Sequence, residues 1–589
     1  MSTEPPGRHG VAASPGISIG LAFVLRRERL VIPEYRIEPA QVDEEVERLK
    51  KAFADVRARL EEIRDGMQET GLVGDIFNAQ FLFLDDPALL EQALHGVREA
   101  RVNAEWALQR ELRRLEALFE SIADPYIRGR GSDVGFMVRR VLQALMGRVP
   151  EGLANAPPGV IVVAEDLSPA ELAQVTRSSI AGLVTESGSR TSHVTIMARS
   201  LQIPAVVGAG AGLVRQIADG DQLVVDGHRG RVLINPDPST IAEHRKRLAD
   251  FEALSLQLLR YVDLPAETRD GVSVRMLANV DLSAEIPDAL RYGAEGIGLY
   301  RTEFLFMNRR DLPNEEEQLA AYSEILEVVA PQAAVIRTLD LGGEKLPAGL
   351  ELPEEPNPAL GLRGVRMSLA RPEIFRTQLR ALLRASHSRN LKILLPMVSA
   401  LKELEFARAE LESVRAELLR EGHQLADEVP LGVMIETPAA AMIADLISPQ
   451  ADFLSIGTND LLQYTLAVDR TNEHVAYLYE PMHPAHIRMI QRICQAASRS
   501  GIVVGMCGEM AGDPLHSWIL LALGIGELSM APFAIPLLKK ILRDSTLTEA
   551  RDLLSTILRM GSAVEIREHV EKTMRGRFPV EFEGMLSAG

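Results

Sequence analysis

One histidine stands at the centre of the stretch GSRTSHVTIMARSLQIPAVVG, residues 188–208. Thr191 and Ser192 are good N-caps, and Ile196, Met197 and Leu201 follow at the spacing of an amphipathic helix. His193 is therefore expected in a first helical turn. The positive end of a helix disfavours imidazolium, and the free N–H groups of that turn can receive phosphate oxygens. A neutral, exposed imidazole beside an anion site suits a phosphoryl acceptor; a capping or solvent-facing histidine is the plain alternative.

A second group of reactive side chains lies far along the chain. Arg301 in GLYRTEF, Arg337 in VIRTLDLGGEK, Arg363 and Arg366 in NPALGLRGVR, and Arg470 offer planar guanidinium forks that suit phosphate and carboxylate better than lysine does. Singly, each could be a surface arginine. Glu436 and Asp460 could share a Mg²⁺ ion with substrate oxygens and water, since that ion keeps much of its hydration. An acid/base pair, or simple partners for the arginines, are the other readings of those carboxylates. Cys507, between glycines in GMCGEMAGDP, is either a small apolar filler or a thiol protonated at neutral pH and able to act as an acid. Cys494, inside IRMIQRICQAA, reads as structural.

Elements must bring these groups together. After Gly271 eight short apolar segments alternate with helical ones: 274–280, 296–301, 334–340, 391–397, 430–437, 453–460, 503–510 and 527–532. That count fits a (β/α)8 barrel, whose catalytic groups gather at the C-terminal ends of the strands. Asn279, Arg301, Arg337, Glu436, Asn459, Asp460 and Cys507 fall where that rule demands. Around His193, the segments GVIVVAEDL, IAGLVTE, PAVVG, QLVVDG and RVLINP predict a compact α/β domain, joined by the earlier strand pattern GVAASPGISIGLAFVL. Between them, from about Gln41 to Met146, apolar residues recur three and four apart, as in a helical bundle inserted into that domain. The segment FLFLDDPALL is expected to be an exposed acidic part of the bundle. Pro236 to Leu264 reads as a connecting helix.

The expected division is a disordered tip over 1–9, the α/β domain around His193 over 10–36 and 149–235, and the bundle over 37–148. A helical linker over 236–264, a barrel over 265–575 and a tail over 576–589 complete it. With 589 residues the chain is too long for one core. Hydrophobic residues at 46% and charged ones at 25% describe an ordinary globular balance. A net charge of −18 argues against nucleic acid or an anionic membrane as partner. No segment reaches the ~18 apolar residues of a membrane span, and MSTEPPGRHG has no apolar signal core, so a cytoplasmic protein is expected. Two cysteines exclude a disulfide framework.

The histidine stretch resembles the phosphohistidine segment of the enzymes that use phosphoenolpyruvate (PEP): Enzyme I of the bacterial phosphotransferase system, pyruvate phosphate dikinase and PEP synthase. The later motifs ANVD, AEGIGLYRTEFLFM, RTLDLGGEK, NPALGLRGVR, GVMIETPAA, DFLSIGTNDLLQYTLAVDR and GMCGEMAGD resemble the Enzyme I family in order, from about Gly10 to near residue 570. The resemblance implies phosphorylation of His193 by PEP and onward transfer to a histidine of the small carrier HPr, as the first step of sugar uptake. It also implies that Arg301, Arg337, Asn459, Asp460 and Arg470 line the PEP site. Glu436 and Asp460 would bind Mg²⁺, and Cys507 would protonate the enolate. The bundle resembles an HPr-docking domain and the barrel a homodimerisation domain. Since one histidine must serve two sites, a swivel about 236–264 is expected.

Two positions depart from the family pattern. Ser189 stands for the second glycine of G-G-R, and Leu172 in DLSPAEL replaces a threonine, which removes its hydroxyl contact to the histidine. The alternatives are a dikinase or synthase, which carry a large ATP-binding region where this chain has its bundle, and a degenerate regulatory scaffold. No G-x-x-x-x-G-K-[ST] loop is present, and the second alternative is disfavoured because every reactive position is occupied.

Overall fold

The computed structural model describes residues 7–14, 16–26, 32–65, 81, 84, 87–121, 125–148, 153, 156–167, 169–172, 179–188, 193–201, 203–227, 229–306, 311–342, 355, 357–388, 390–470, 472 and 474–586. The chain divides into two compact units at Glu252 and Ala253.

In the first unit, an eight-stranded sheet is built from β1 (Gly7–His9), β2 (Val11–Ser14), β3 (Ile17–Leu25), β4 (Val160–Ala164), β5 (Ile180–Thr185), β6 (Ala205–Val207), β7 (Gln222–Asp226) and β8 (Arg231–Ile234). Its order is β1-β8-β7-β3-β4-β5-β6-β2, with β3 to β6 parallel and the outer pairs antiparallel. Residues expected in the disordered tip behave otherwise from Gly7 onward: β1 pairs with β8, Arg8 opposite Val232, and so covers an edge that would be left with unpaired N–H and C=O groups. Val24, Ile161, Val163, Val184, Val206 and Val225 form the core of this domain.

Neighbouring strands β3 and β4 pair in register, Ala22 with Ile161, although a helical bundle separates them in sequence. The bundle is therefore an insertion. Its helices among the described residues include α1 (Val42–Asp65), α2 (Pro87–Ala100), α3 (Ala104–Ser121) and α4 (Pro125–Leu145). Leu49, Leu60, Val97, Leu108, Met137 and Leu142 make its core. At the start of α3, Glu45 Oε2 accepts from Ala104 N at 2.8 Å, and Arg48 ties Glu45 to Glu105. Phe81 and Leu84, expected in an exposed segment, are buried in that core, because apolar side chains one turn apart pack inward. Their acidic neighbours Asp85 and Asp86 lie outside the described residues.

The helix carrying His193, α5 (His193–Ser200), packs on β2, where Ser14 Oγ donates to Ala198 O at 3.3 Å. Val194, Met197 and Ala198 turn their apolar face inward. The connecting helix α6 (Pro238–Leu258) runs on into a short 3-10 turn, Leu259–Tyr261, and contains the boundary between the units.

The second unit is a closed barrel of eight parallel strands: β9 (Arg275–Val280), β10 (Ile297–Tyr300), β11 (Ala334–Arg337), β12 (Leu391–Leu395), β13 (Leu431–Ile435), β14 (Leu454–Ile456), β15 (Val504–Met506) and β16 (Glu527–Met530). Closure comes from β16 on β9, with Leu528 opposite Met276. Near-continuous apolar runs suit strands buried on both faces. The segment expected as a tail from residue 576 instead docks on this unit. Phe578 and Phe582 are buried, Trp518 meets Phe578 edge-on at 5.8 Å, and Lys540 pairs with buried Glu581. Among the described residues no helix is long and apolar enough to cross a membrane.

Candidate active site

Parallel closure puts the C-terminal ends of all eight barrel strands at one mouth, and the charged residues follow those ends. Arg337, the last residue of β11, donates from Nη2 to Glu303 Oε1 at 2.8 Å and lies 3.0 Å from Asp340. Arg363 grips Asp340 with both prongs, Nε to Oδ1 at 3.0 Å and Nη2 to Oδ2 at 2.8 Å, and reaches Asp460 at 3.1 Å and Tyr464 at 3.3 Å. Arg301, just after β10, pairs with Asp281 at 2.9 Å. Burial opposes the charge on Arg337, but Glu303, Asp340 and Glu436 outweigh it and hold the group above its ordinary value. Among the described residues, the Arg337 Nε is buried without a partner, as is Glu303 Oε2. A buried donor left unpaired beside fixed guanidinium groups is a standing offer to an anionic ligand.

Glu436 follows β13 and is 2% exposed. Its Oε1 accepts from Met397 N at 2.6 Å, and Met397 itself holds φ at +59° in the left-handed region, a strain of order 1–3 kcal/mol. The opposite flank has no spare room: a Cβ at Gly457 would stand 2.8 Å from Glu436 Oε2. Burial, then Asp340 and Asp460, push the Glu436 carboxyl up to about 8, so it keeps a proton at neutral pH. Carboxyl groups crowded until one must hold a proton are a fitting donor set for a divalent cation, which would take that proton's place. Among the described residues, no three His, Cys, Asp or Glu form a cage of protein ligands. Mg²⁺ does not require one, because one or two carboxylates with substrate oxygens and water suffice.

Of the remaining expected residues, Asn459 and Asp460 belong to the first turn of the helix Thr458–Leu466, since β14 stops at Ile456. The Asn459 side chain faces Glu509, accepting from its N at 3.0 Å and donating to its Oε1 at 3.3 Å. Arg470 is exposed, and its backbone N reaches Gln463 at 3.3 Å. Asn279 is turned to a supporting task, donating to Cys507 O at 3.0 Å. Arg366 spends itself on the carbonyls of Leu360 and Gly361. Cys507 follows β15 and is buried, which raises its thiol pKa, while Ser455, Arg337 and Arg301 pull the other way and Glu436 adds to the rise. Arg301, Arg337, Glu436 and Cys507 thus share one field, which Asp460 joins through Glu436 and Arg363. Sequence reasoning passed over Asp281, Glu303 and Asp340. Their signal was local: Asp340 stands three residues after Arg337, and Glu303 two after Arg301.

In the first unit, α5 begins at His193, so the histidine is the first residue of its helix. Thr191, Ser192 and Ser189 lie outside the described residues. Leu172 is fully buried, an apolar contact in place of a hydroxyl.

Comparison with known proteins decides the family. The N-terminal domain of PEP-utilising enzymes matches residues 9–130, their mobile domain 156–230, and their PEP-binding domain 256–547. A phosphoenolpyruvate-protein phosphotransferase from Geobacillus stearothermophilus is 43% identical over 569 residues, 96% of this chain and 98% of the relative. The chain belongs to the phosphoenolpyruvate-protein phosphotransferase family. Other phosphoenolpyruvate-protein phosphotransferases stand at similar distance. The protein of Bacillus subtilis (strain 168) is 40% identical over 568 residues, covering 96% of this chain and 99% of its own. That of Haemophilus influenzae is 40% identical over 569, covering 96% and 98%. A solution structure of an Enzyme I protein is 34% identical, covering 42% of this chain and 99% of that one, with a TM-score of 0.36. The mobile-domain match of this phosphotransferase contains His193, and the PEP-binding match contains every candidate residue of the barrel mouth.

Proposed function

We propose that this chain takes the phosphoryl group of phosphoenolpyruvate onto His193 and passes it to a histidine of an HPr-type carrier, releasing pyruvate, as the first step of a phosphotransferase system for sugar uptake. The observation that carries this reading is kinship along almost the whole chain, histidine module and barrel together, with proteins named for that reaction. In the barrel, Arg301 and Arg337 bind the anionic groups of PEP, with Arg363 beside them, and the unpaired Arg337 Nε supports such a role. Asn459 and Arg470 complete the substrate site from the rim. Glu436 and Asp460 would hold Mg²⁺, which would supply Lewis-acid withdrawal of charge from the phosphoryl oxygens.

His193 attacks phosphorus in line from the first residue of its helix. The P–O bond to the enol oxygen breaks, and Cys507 supplies the proton that turns the enolate into pyruvate. Burial keeps that thiol protonated until it is needed. The second step needs none of the barrel's groups, only the phosphohistidine and a carrier docked on the inserted bundle. The protein works in the cytoplasm as a homodimer associated through its barrel unit.

Intact-protein mass analysis after mixing with PEP and Mg²⁺, without ATP, tests the first step. One acid-labile phosphate on wild type and none on His193→Ala, with pyruvate released, is the expected result. Phosphate appearing only with ATP would point to a dikinase instead, and none under either condition to a regulatory scaffold.

A further inference from the structure

Cys507 sits in an apolar layer of the barrel with Leu299, Val335, Leu394, Met434 and Phe453, surroundings that do little to aim a thiol. Two side-chain donors reach it there. From the adjacent strand β14, Ser455 Oγ donates to Sγ at 3.4 Å. From β9, Asn279 Nδ2 donates to the Cys507 carbonyl at 3.0 Å, while its Oδ1 accepts from Ser529 Oγ at 2.7 Å, so donor and acceptor together fix the amide. Ser455 and Ser529 are both buried, positions where a hydroxyl costs free energy unless it is used. Among the described residues the thiol's own proton has only a long contact, Ile456 O at 3.8 Å from Sγ, and turns easily.

We infer that Ser455 is the positioning residue for the Cys507 thiol: its O–H engages the sulfur, frees the S–H to face the barrel mouth, and holds the thiolate once the proton has gone. The inference rests on the role proposed above for Cys507. Phosphoryl transfer to His193 leaves the enolate of pyruvate. The S–H bond then breaks, its proton forms a C–H bond with the electron pair at the methylene carbon, and sulfur keeps the S–H pair as thiolate. Water returns a proton after pyruvate leaves, and nothing is oxidised or reduced. Arg301 and Arg337 favour the thiolate and Glu436 opposes it. Ser455 adds the directional contact that none of these charges supplies.

Cys494 and Cys507 are the two cysteines, so the infrared S–H stretch of the full-length protein has two bands, assigned with Cys507→Ala. Ser455→Ala is expected to shift the Cys507 band and leave that of Cys494. The same change should slow PEP-dependent pyruvate formation about tenfold, the scale of one hydrogen bond to a developing charge. Transfer from phosphorylated His193 to the carrier should keep its rate, and Ser455→Thr, which retains the hydroxyl, should restore the band and the rate. An unmoved band, or equal slowing of both half-reactions, overturns the inference. Pyruvate formation at the wild-type rate in Cys507→Ala would instead overturn the role of Cys507, and the band separates the two because it reports the contact without turnover.

Discussion

Glu436 shows at a single residue how the mouth trades protons for other charges. Its folded pKa is raised by burial and by Asp340 and Asp460. A raised pKa contributes stability that is full below the unfolded value of about 4.5 and is lost as pH climbs through about 8. The chelator-treated protein should therefore lose stability between pH 5 and 8 more steeply than Glu436→Gln, whose amide keeps the acceptor for Met397 N and carries no charge. Thermal unfolding of both proteins across that range, in EDTA, checks this, and parallel curves would refute it. Arg363 carries a second expectation. Its two-pronged grip on Asp340 and its reach to Asp460 need a planar fork, which lysine lacks. Arg363→Lys should raise KM for PEP by about tenfold or more, on the scale of a lost bidentate charged contact; an unchanged KM in steady-state assays would remove Arg363 from the site. Arg337 and Glu436 were legible in sequence because each adjoins the end of an apolar run. Their partners were less so, since the pairing of Arg337 with Glu303 or of Arg363 with Asp460 is set by which strand ends become neighbours when the barrel closes.

Strands and helices were legible to different depths. All eight barrel strands stood out as apolar runs bounded by turn residues, but the runs continued beyond the hydrogen-bonded segments. Asn459 and Asp460 thus looked like strand ends when they open a helix. Edge strand β1 was invisible, because three residues carry no periodicity. So were the contacts between helices outside the barrel. On the helix Pro372–Ala385, Arg376, Arg380 and Arg384 stand four apart on one face. Arg376 meets Glu410 and Glu417; Arg380 meets Glu315 and Glu421; Arg384 meets Glu315 and Glu316. Glu315, at the start of the helix Glu315–Val329, serves two arginines at 2.6 Å each. Single surface pairs contribute little, yet here one substitution takes a partner from two cations at once, leaving Arg380 with Glu421 and Arg384 with Glu316. Glu315→Ala should destabilise by about 1 kcal/mol, lowering the barrel unit's melting temperature by about 2 °C. In 1 M salt, where the screening length falls to about 3 Å, at least half of that difference should vanish. A gap unchanged by salt in calorimetry would mean the loss comes from packing instead.

At the scale of the molecule, the chemistry is divided between two units, each with its own complete sheet and core. His193 belongs to the first, the residues proposed to bind PEP and the metal to the second. A chain cut at Glu252 and Ala253 should therefore give two folded parts. Residues 253–583 should bind PEP with Mg²⁺ but gain no phosphate. Residues 1–252 should accept phosphate from a phosphorylated HPr-type carrier, in reverse, but not from PEP. Mixed at micromolar concentration, the parts should still phosphorylate His193 from PEP, only far more slowly. A covalent tether supplies an effective concentration on the order of millimolar, so the rate should fall about a thousandfold and rise linearly with the concentration of the barrel part. Intact-mass time courses on the mixture measure that rate directly. A rate equal to that of the uncut chain would mean that α6 does nothing to present the histidine to the barrel. A barrel part that unfolds when isolated would mean that its stability depends on the first unit, so that transfer could not be treated as an encounter between two independent bodies.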